Sequence, residues 1–301
     1  MKSETLQQVV REALGNSTTL QSIRCLAGGC IHDSRQLKFQ NGSQAVVKIA
    51  DRTRWPWLLA ERDGLAAIDA QGAIRTPKIL ACYWSERHQW GVLLLEWIES
   101  APPRPRDLTE FAERLAALHR QTTSQCQFGF DGDNFLGATS QPNPWKPGWC
   151  DFWTQHRWDH QLLLLRENDR GVRDLQTLGQ QIAAHFPQLI LEPERPSLIH
   201  GDLWSGNYLF DRSGEVVLID PAAYYADREA EWGMIRLMGG LPDSFLADYH
   251  RAWPLRDGFE ARCEVYQLYH LLNHVNLFGG GYVDTTRQAM RRLLRKLDAA
   301  A

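Results

Sequence analysis

His200-Gly201-Asp202-Leu203-Trp204-Ser205-Gly206-Asn207 is followed, after a short apolar run, by Leu218-Ile219-Asp220-Pro221. A carboxylate, an amide five residues later and a second carboxylate are the groups that a phosphoryl transfer requires, in order. An ionised aspartate only accepts hydrogen bonds, so Asp202 suits removal of a proton from an attacking hydroxyl. Magnesium takes hard oxygen ligands; Asn207 and Asp220 would supply two while nucleotide phosphates complete the shell. His-Gly-Asp and Ser-Gly-Asn are also ordinary turn formers. Order, spacing and flanking strand-like runs together favour the phosphotransferase reading. His200 reads as a hydrogen-bonding support for the aspartate, not as a proton shuttle.

Earlier in the chain, Gly28-Gly29-Cys30-Ile31 sits between two strand-like runs. Glycines there let backbone N–H groups approach phosphates, although a plain hairpin would look the same. Val46-Val47-Lys48-Ile49 gives the pair more weight, because a lysine flanked by apolar strand residues needs a partner for its ammonium. Nucleotide phosphates and a helix carboxylate are such partners, and Glu61 is the candidate carboxylate. The alternative has Lys48 reaching solvent from an edge strand and Glu61 on a solvated face. Glu96-Trp97-Ile98 falls where backbone groups of a hinge would meet an adenine edge, an assignment resting on order alone. Cys30 would be either a packed thiol or, beside N–H groups and Lys48, a thiolate open to oxidation.

These residues need elements to hold them. Apolar spacing predicts a helix over 3–14, strands over 21–26, 34–39 and 44–49, a helix over 56–71, and strands over 79–84 and 91–98. Asn41-Gly42 between alternating runs is a hairpin signal. Pro102-Pro103-Arg104-Pro105 marks a linker, since prolines interrupt strands and helix interiors. Beyond it the pattern is helical over 108–122, with Asp107 as N-cap, then over 149–168, 172–186, 228–239, 241–253, 258–278 and 284–299. The stretch 128–147, rich in Gly, Asn, Pro and aromatics, is a long ordered loop of functional character. The expected organisation is α+β and bilobal: a nucleotide-binding lobe over 1–98 with a small sheet plus one helix, and a mainly helical catalytic and substrate lobe over 99–301.

Composition narrows the classes. The 301 residues are 44% hydrophobic and 23% charged, with a net charge of −3, as for an ordinary globular chain without a field for nucleic acid or anionic membrane. No apolar run approaches the about 18 residues of a membrane span, and the polar start lacks a signal peptide's core. Six cysteines without a C-x-x-C pair argue against zinc or dithiol chemistry, and the expected compartment is the reducing cytoplasm. Twelve tryptophans suit either core or a pocket that stacks sugars. Asp220-Pro221 replaces D-F-G, and no A-P-E follows, which points to a small-molecule kinase rather than a regulated protein kinase. Asp227-Arg228-Glu229 beside Tyr224-Tyr225 fits equally a charged first helical turn or a pocket wall.

The segment from His200 to Asn207, Tyr224-Tyr225-Ala226-Asp227-Arg228-Glu229 and Leu268-Tyr269-His270-Leu271-Leu272-Asn273-His274 resemble the fructosamine-3-kinase (ketosamine kinase) family, as do Phe128-Gly129-Phe130, Asn134-Phe135-Leu136-Gly137 and Pro142-Asn143-Pro144-Trp145. The resemblance runs from Gly28 to Tyr282. It implies a protein-kinase-like fold and ATP-dependent phosphorylation of the C3 hydroxyl of ketosamines, free or on glycated proteins, with ribulosamine, erythrulosamine or fructosamine as the sugar. It makes Asp202 the base, Asn207 and Asp220 the Mg²⁺ ligands, and Lys48 with Glu61 the phosphate-orienting pair. Trp204 and Asp227 would face the sugar, with Tyr225 in the pocket wall. Ala226 stands where the family usually has glycine, a strained position only if φ is positive. The alternatives are another small-molecule kinase, for an aminoglycoside or choline, and a pseudokinase. The first would want more acidic residues than the stretch over 260–281 offers, and the second would have lost one of Lys48, Asp202, Asn207 or Asp220. Monomer and dimer are equally compatible with the sequence.

Overall fold

The structure, a computed structural model, describes residues 1–15, 17–26, 33–168 and 172–300. Gly28, Gly29 and Cys30 lie outside the described residues. Two compact units divide the chain: Met1–Asp107 with Gly206–Pro221, and Leu108–Ser205 with Ala222–Ala301. This grouping differs from a split after residue 98. The backbone explains why: Ala101 N–H donates to Phe210 O at 2.8 Å, and Ser100 bridges Asp211, so the later segment joins the first unit.

In the first unit, helix α1 (Ser3–Leu14) precedes strands β1 (Leu20–Cys25), β2 (Asp33–Phe39) and β3 (Gln44–Ala50), helix α2 (Trp55–Asp69), and strands β4 (Ile79–Ser85) and β5 (Trp90–Glu96). The strands form one antiparallel sheet in the order β1-β2-β3-β5-β4. The β2–β3 turn follows from Asn41-Gly42. Gly42 takes φ +84, and the Asn41 side chain accepts from the Ser43 backbone N–H at 3.0 Å. Two helices serve this sheet rather than one. Leu6, Val9 and Val10 of α1 pack with Ala45, Val47, Ile49, Val92 and Leu94 on one face. Leu58 and Leu65 of α2 pack with Val46, Ala50, Leu93 and Leu95 on the other. Strand side chains alternate, so Lys48, between Val47 and Ile49, must point to the α2 face. A hairpin of β9 (Tyr208–Phe210) and β10 (Val216–Leu218) completes the unit.

The second unit is mainly helical. Helix α3 (Pro105–His119), whose first residues belong to the first unit, starts at Pro105 and not after Asp107. A proline fits the first turn because its missing N–H would be unpaired there. Asp107 lies inside that turn, and its carboxylate accepts from the Arg104 backbone N–H at 2.8 Å, capping the helix from within. The loop over 128–147 contains a small hairpin, β6 (Asn134–Leu136) with β7 (Thr139–Gln141). Helix α4 (Trp149–Trp153) continues through a π turn, Thr154–Trp158, into α5 (Asp159–Glu167). Then come α6 (Arg173–Ala183), α7 (Phe186–Leu189) and β8 (Ser197–Ile199), which pairs with β11 (Tyr224–Ala226). A 3₁₀ turn, Arg228–Ala230, leads to α8 (Glu231–Met238), α9 (Asp243–Ala252), α10 (Phe259–Phe278) and α11 (Gly281–Ala300).

The core of this unit gathers Trp149, Trp153 and Trp158 around α10, with the Trp153 and Tyr266 rings edge-on at 4.6 Å. These tryptophans are therefore packing residues. Among the described residues, no helix is long and apolar enough to cross a membrane. Because α1 covers a full sheet face, Leu6→Ala is expected to destabilise the protein by about 2–4 kcal/mol in urea unfolding. A loss below about 1 kcal/mol would show that α1 is not part of this core.

Candidate active site

Lys48 on β3 is 4% exposed and Glu61 on α2 is 6% exposed. The register sets Lys48 between Ser34 of β2 and Leu93 of β5, in the interior of the sheet, so the edge-strand alternative does not apply. Its ammonium lies 2.6 Å from Glu61 Oε1 and also donates to the Asp220 carboxylate. Burial opposes the Lys48 charge, but Asp220 and Glu61 outweigh it and hold the amine above its usual pKa. Burial pushes Glu61 up to about 7 against the pull of Lys48. Two carboxylates thus compete for one buried ammonium.

The β9–β10 hairpin brings Asn207 and Asp220 to one end of its ladder, since Ile219 N–H donates to Asn207 O at 3.0 Å. Asn207 is buried, and Asp220 takes φ +54, a left-handed conformation that aspartate tolerates better than most residues. That conformation turns the chain out of the strand at the residue that meets Lys48. Lys48, Glu61, Asn207 and Asp220 all belong to the first unit. Arg75, which the sequence reading did not single out, ties this unit together. Its guanidinium pairs with Glu96 at 2.5 Å and Asp211 at 3.2 Å, and its carbonyl accepts from Leu218 N–H at 3.0 Å. It therefore links the end of β5 to the hairpin that carries Asn207 and Asp220. The Glu96 backbone N–H donates to Lys78 O at 2.9 Å, so the N–H groups left for a hinge role are those of Trp97 and Ile98.

Asp202 and Trp204 belong to the second unit, and both are half-buried. The loop that presents Asp202 is held by Glu231, a 1% exposed residue at the start of α8. Its two carboxylate oxygens accept from His200 N–H at 2.6 Å and Gly201 N–H at 3.0 Å. His200 has the supporting place expected of it, since its Nδ1 accepts from Asp202 N–H at 3.3 Å. Gly201 has φ +82, and a Cβ there would stand 2.2 Å from Ala222 O, so only glycine fits. Behind Glu231, His119 approaches to 3.5 Å and reaches the Tyr249 hydroxyl at 2.8 Å. No sequence motif marks Glu231 apart from its place on a helix after a charged turn.

Tyr225 lies on β11 and is half-buried, whereas Asp227 is fully buried. The Asp227 carboxylate caps the 3₁₀ turn through Glu229 N–H at 3.0 Å, accepts from Tyr266 Oη at 2.8 Å, and pairs with Arg256. These partners correct the expectation that Asp227 faces a sugar; it anchors the turn to α10. Glu229 likewise pairs with Arg262 at 2.7 Å, so the charged run forms a buried ion-pair network. Ala226 sits in the extended β11 without strain.

Comparison with known proteins places this geometry. The fold is shared with a choline kinase from Streptococcus pneumoniae, at a TM-score of 0.65 and 14% identity over 97% of this chain and 99% of that one. A solved structure described as a fructosamine-3-kinase, from Haemophilus somnus, matches with a TM-score of 0.84 and 28% identity over 97% of both chains. A probable ketoamine kinase of Synechocystis is 37% identical over 294 residues, 97% of each chain. The protein-ribulosamine 3-kinase of Arabidopsis thaliana is 34% identical over 95% of this chain and 86% of its own. The profile of the fructosamine kinase family matches residues 2–296, and the chain belongs to that family. It is an ATP-dependent kinase.

Glu231→Gln replaces one acceptor with a donor facing a buried N–H. It is expected to destabilise the protein by about 1–3 kcal/mol and to lower kcat roughly tenfold or more by loosening the Asp202 loop. Unchanged kcat in a folded variant would exclude a role for Glu231 in holding that loop.

Proposed function

We propose that this kinase transfers the γ-phosphoryl group of ATP to the C3 hydroxyl of a ketosamine, with ribulosamine, erythrulosamine or fructosamine as the sugar, free or on a glycated protein. The C3 phosphate destabilises the adduct, so the amine is released and a glycated lysine is restored. The observation that carries the reading is the buried Lys48 ammonium shared by Glu61 and Asp220, in a member of the fructosamine kinase family. The names of the relatives support the substrate class.

In this reading Asp202 accepts the proton of the C3 hydroxyl, making the oxygen a nucleophile. Lys48, kept charged by its neighbours and oriented by Glu61, binds nucleotide phosphate oxygens. The sequence pattern assigns Gly28 and Gly29 to the phosphates, while Trp97 and Ile98 offer backbone groups to the adenine and Trp204 with Tyr225 borders the sugar. The first unit serves the nucleotide and its metal, and the second supplies the base and the acceptor site. Asn207 and Asp220 are the oxygen donors for Mg²⁺, which when bound neutralises phosphate charge. Both carry oxygen donors of the kind a hard cation takes, and the Ile219–Asn207 backbone hydrogen bond sets them at one end of the β9–β10 ladder. The proposed setting is the cytoplasm.

Incubation with ATP and ribulosyl-, erythrulosyl- and fructosyl-lysine beside an aminoglycoside, with mass spectrometry of the product, tests the assignment. Phosphate on C3 of a ketosamine is expected; transfer only to the aminoglycoside would overturn it. Asp202→Asn is expected to lower kcat by about 10²–10⁴ while ATP binding stays near wild type, and a variant keeping a tenth of wild-type kcat contradicts its role as base. Asp220→Ala is expected to abolish Mg²⁺-dependent nucleotide binding and Asn207→Ala to weaken it less, because only the carboxylate brings charge to the metal. Equal losses in calorimetry would refute that ranking.

A further inference from the structure

The loop over 128–147 is fastened to the chain that follows Asp220. Gly129 and Tyr225 exchange backbone hydrogen bonds at 3.0 and 2.9 Å. Asn134 Nδ2 donates to Ala223 O at 2.9 Å, and Gln141 Nε2 to Ala222 O at 3.4 Å. Buried Arg157, from the π turn, donates to Pro142 O at 2.7 Å and Asn143 Oδ1 at 2.6 Å. So fixed, the loop sets Trp145 against Tyr225, with ring centroids 5.8 Å apart at 35°. Both rings are half-exposed, unlike the core tryptophans. The Trp145 indole N–H donates to Asp131 Oδ1 at 3.3 Å, and Asp131 is exposed. Asp133, also exposed, accepts from Asn143 N–H at 2.8 Å.

We propose that Trp145, Tyr225 and Asp131 form a subsite for the cationic amine side of the substrate, the lysyl chain that carries the sugar. The proposal rests on the ketosamine reading above and deepens it. A ketosamine nitrogen is a secondary amine, protonated near neutral pH, and differs in this from a plain sugar. Aromatic faces attract such a cation, and an adjacent carboxylate adds charge complementarity. Placement along the chain agrees. Tyr225 pairs with Leu198 on the β8–β11 ribbon, and Asp202 lies four residues beyond Leu198, so their backbones are at most about 18 Å apart, roughly 13 Å along the chain and about 5 Å across the ribbon. From the C3 oxygen through the amine to the lysine Cα is nine bonds, or ~11 Å. With the lengths of the Asp202 and Tyr225 side chains added to that span, a hydroxyl at Asp202 leaves the lysyl chain able to reach the aromatic pair. All of these residues belong to the second unit.

Steady-state kinetics of wild type, Trp145→Ala, Trp145→Phe and Asp131→Asn, with Nα-acetyl-ribulosyl-lysine and the ribulose adduct of methylamine, test the subsite. For Trp145→Ala, KM should rise about tenfold or more for the lysyl adduct and also rise for the methylamine adduct, which carries the same protonated nitrogen, with the larger rise for the lysyl chain and KM for ATP unmoved. Trp145→Phe should restore most of the affinity. Asp131→Asn should raise KM at low salt and lose that effect at high salt, as screening removes the charge term. An unchanged KM for the lysyl adduct in both Trp145→Ala and Asp131→Asn, with wild type active, overturns the subsite alone. A KM for ATP that rises in parallel also overturns it, since that marks general damage. A wild type that phosphorylates no ketosamine takes down the earlier reading and the subsite together.

Discussion

A single buried ammonium organises the first unit. Lys48 lies within an apolar sheet, where an unpaired charge would cost several kcal/mol, and two carboxylates, one near it in sequence and one far away, converge on it. Glu61 arrives on α2 because alternation along β3 turns Lys48 to the face that α2 covers. Asp220 arrives on a hairpin that Arg75 and the Ala101–Phe210 hydrogen bond hold to the same unit. Burial holds Glu61 back from ionisation, while Asp220, with its side chain 38% exposed, keeps access to solvent. The carboxylate proposed for the metal is thus the accessible one of the two, and Glu61 stays behind as the lysine's internal partner.

The second unit uses different means to the same end. The Asp202 loop rests on backbone N–H groups accepted by a buried carboxylate and on a glycine pressed against a carbonyl. Charge-assisted hydrogen bonds of this kind are roughly twice as strong as neutral ones. The same unit spends its other buried charges on structure, with Asp227 and Glu229 neutralised by Arg256 and Arg262 around the turn before α8. Family membership and the fold give these arrangements a common context, a kinase built on a small sheet and a helical body.

Local signals were the most legible. Helix α1 follows the 3–14 periodicity to the residue, and Asn41-Gly42 makes the β2–β3 turn. The partnership of Lys48 with Glu61 was readable because a strand lysine must find an anion and α2 offers one. Long-range placement was not. Pro105 reads as a breaker until a helix starts on it, and the π turn at 154–158 has no mark in the periodicity. Asp227 looks like a pocket residue in sequence, yet tertiary packing with Arg256 and Tyr266 buries it. Glu231 and Arg75 carry no motif; their importance comes from which backbone and carboxylate groups the fold brings to them. Gly28 and Gly29 fall outside the described residues.

The central claim is that Lys48, shared by Glu61 and Asp220, marks the nucleotide phosphate site. Calorimetric titration of wild type and Lys48→Met with a non-hydrolysable ATP analogue at saturating Mg²⁺ tests it directly. The charge-assisted contacts assigned to this amine predict an affinity loss of about 100-fold in a variant that keeps its circular dichroism spectrum. Binding within threefold of wild type would contradict the account.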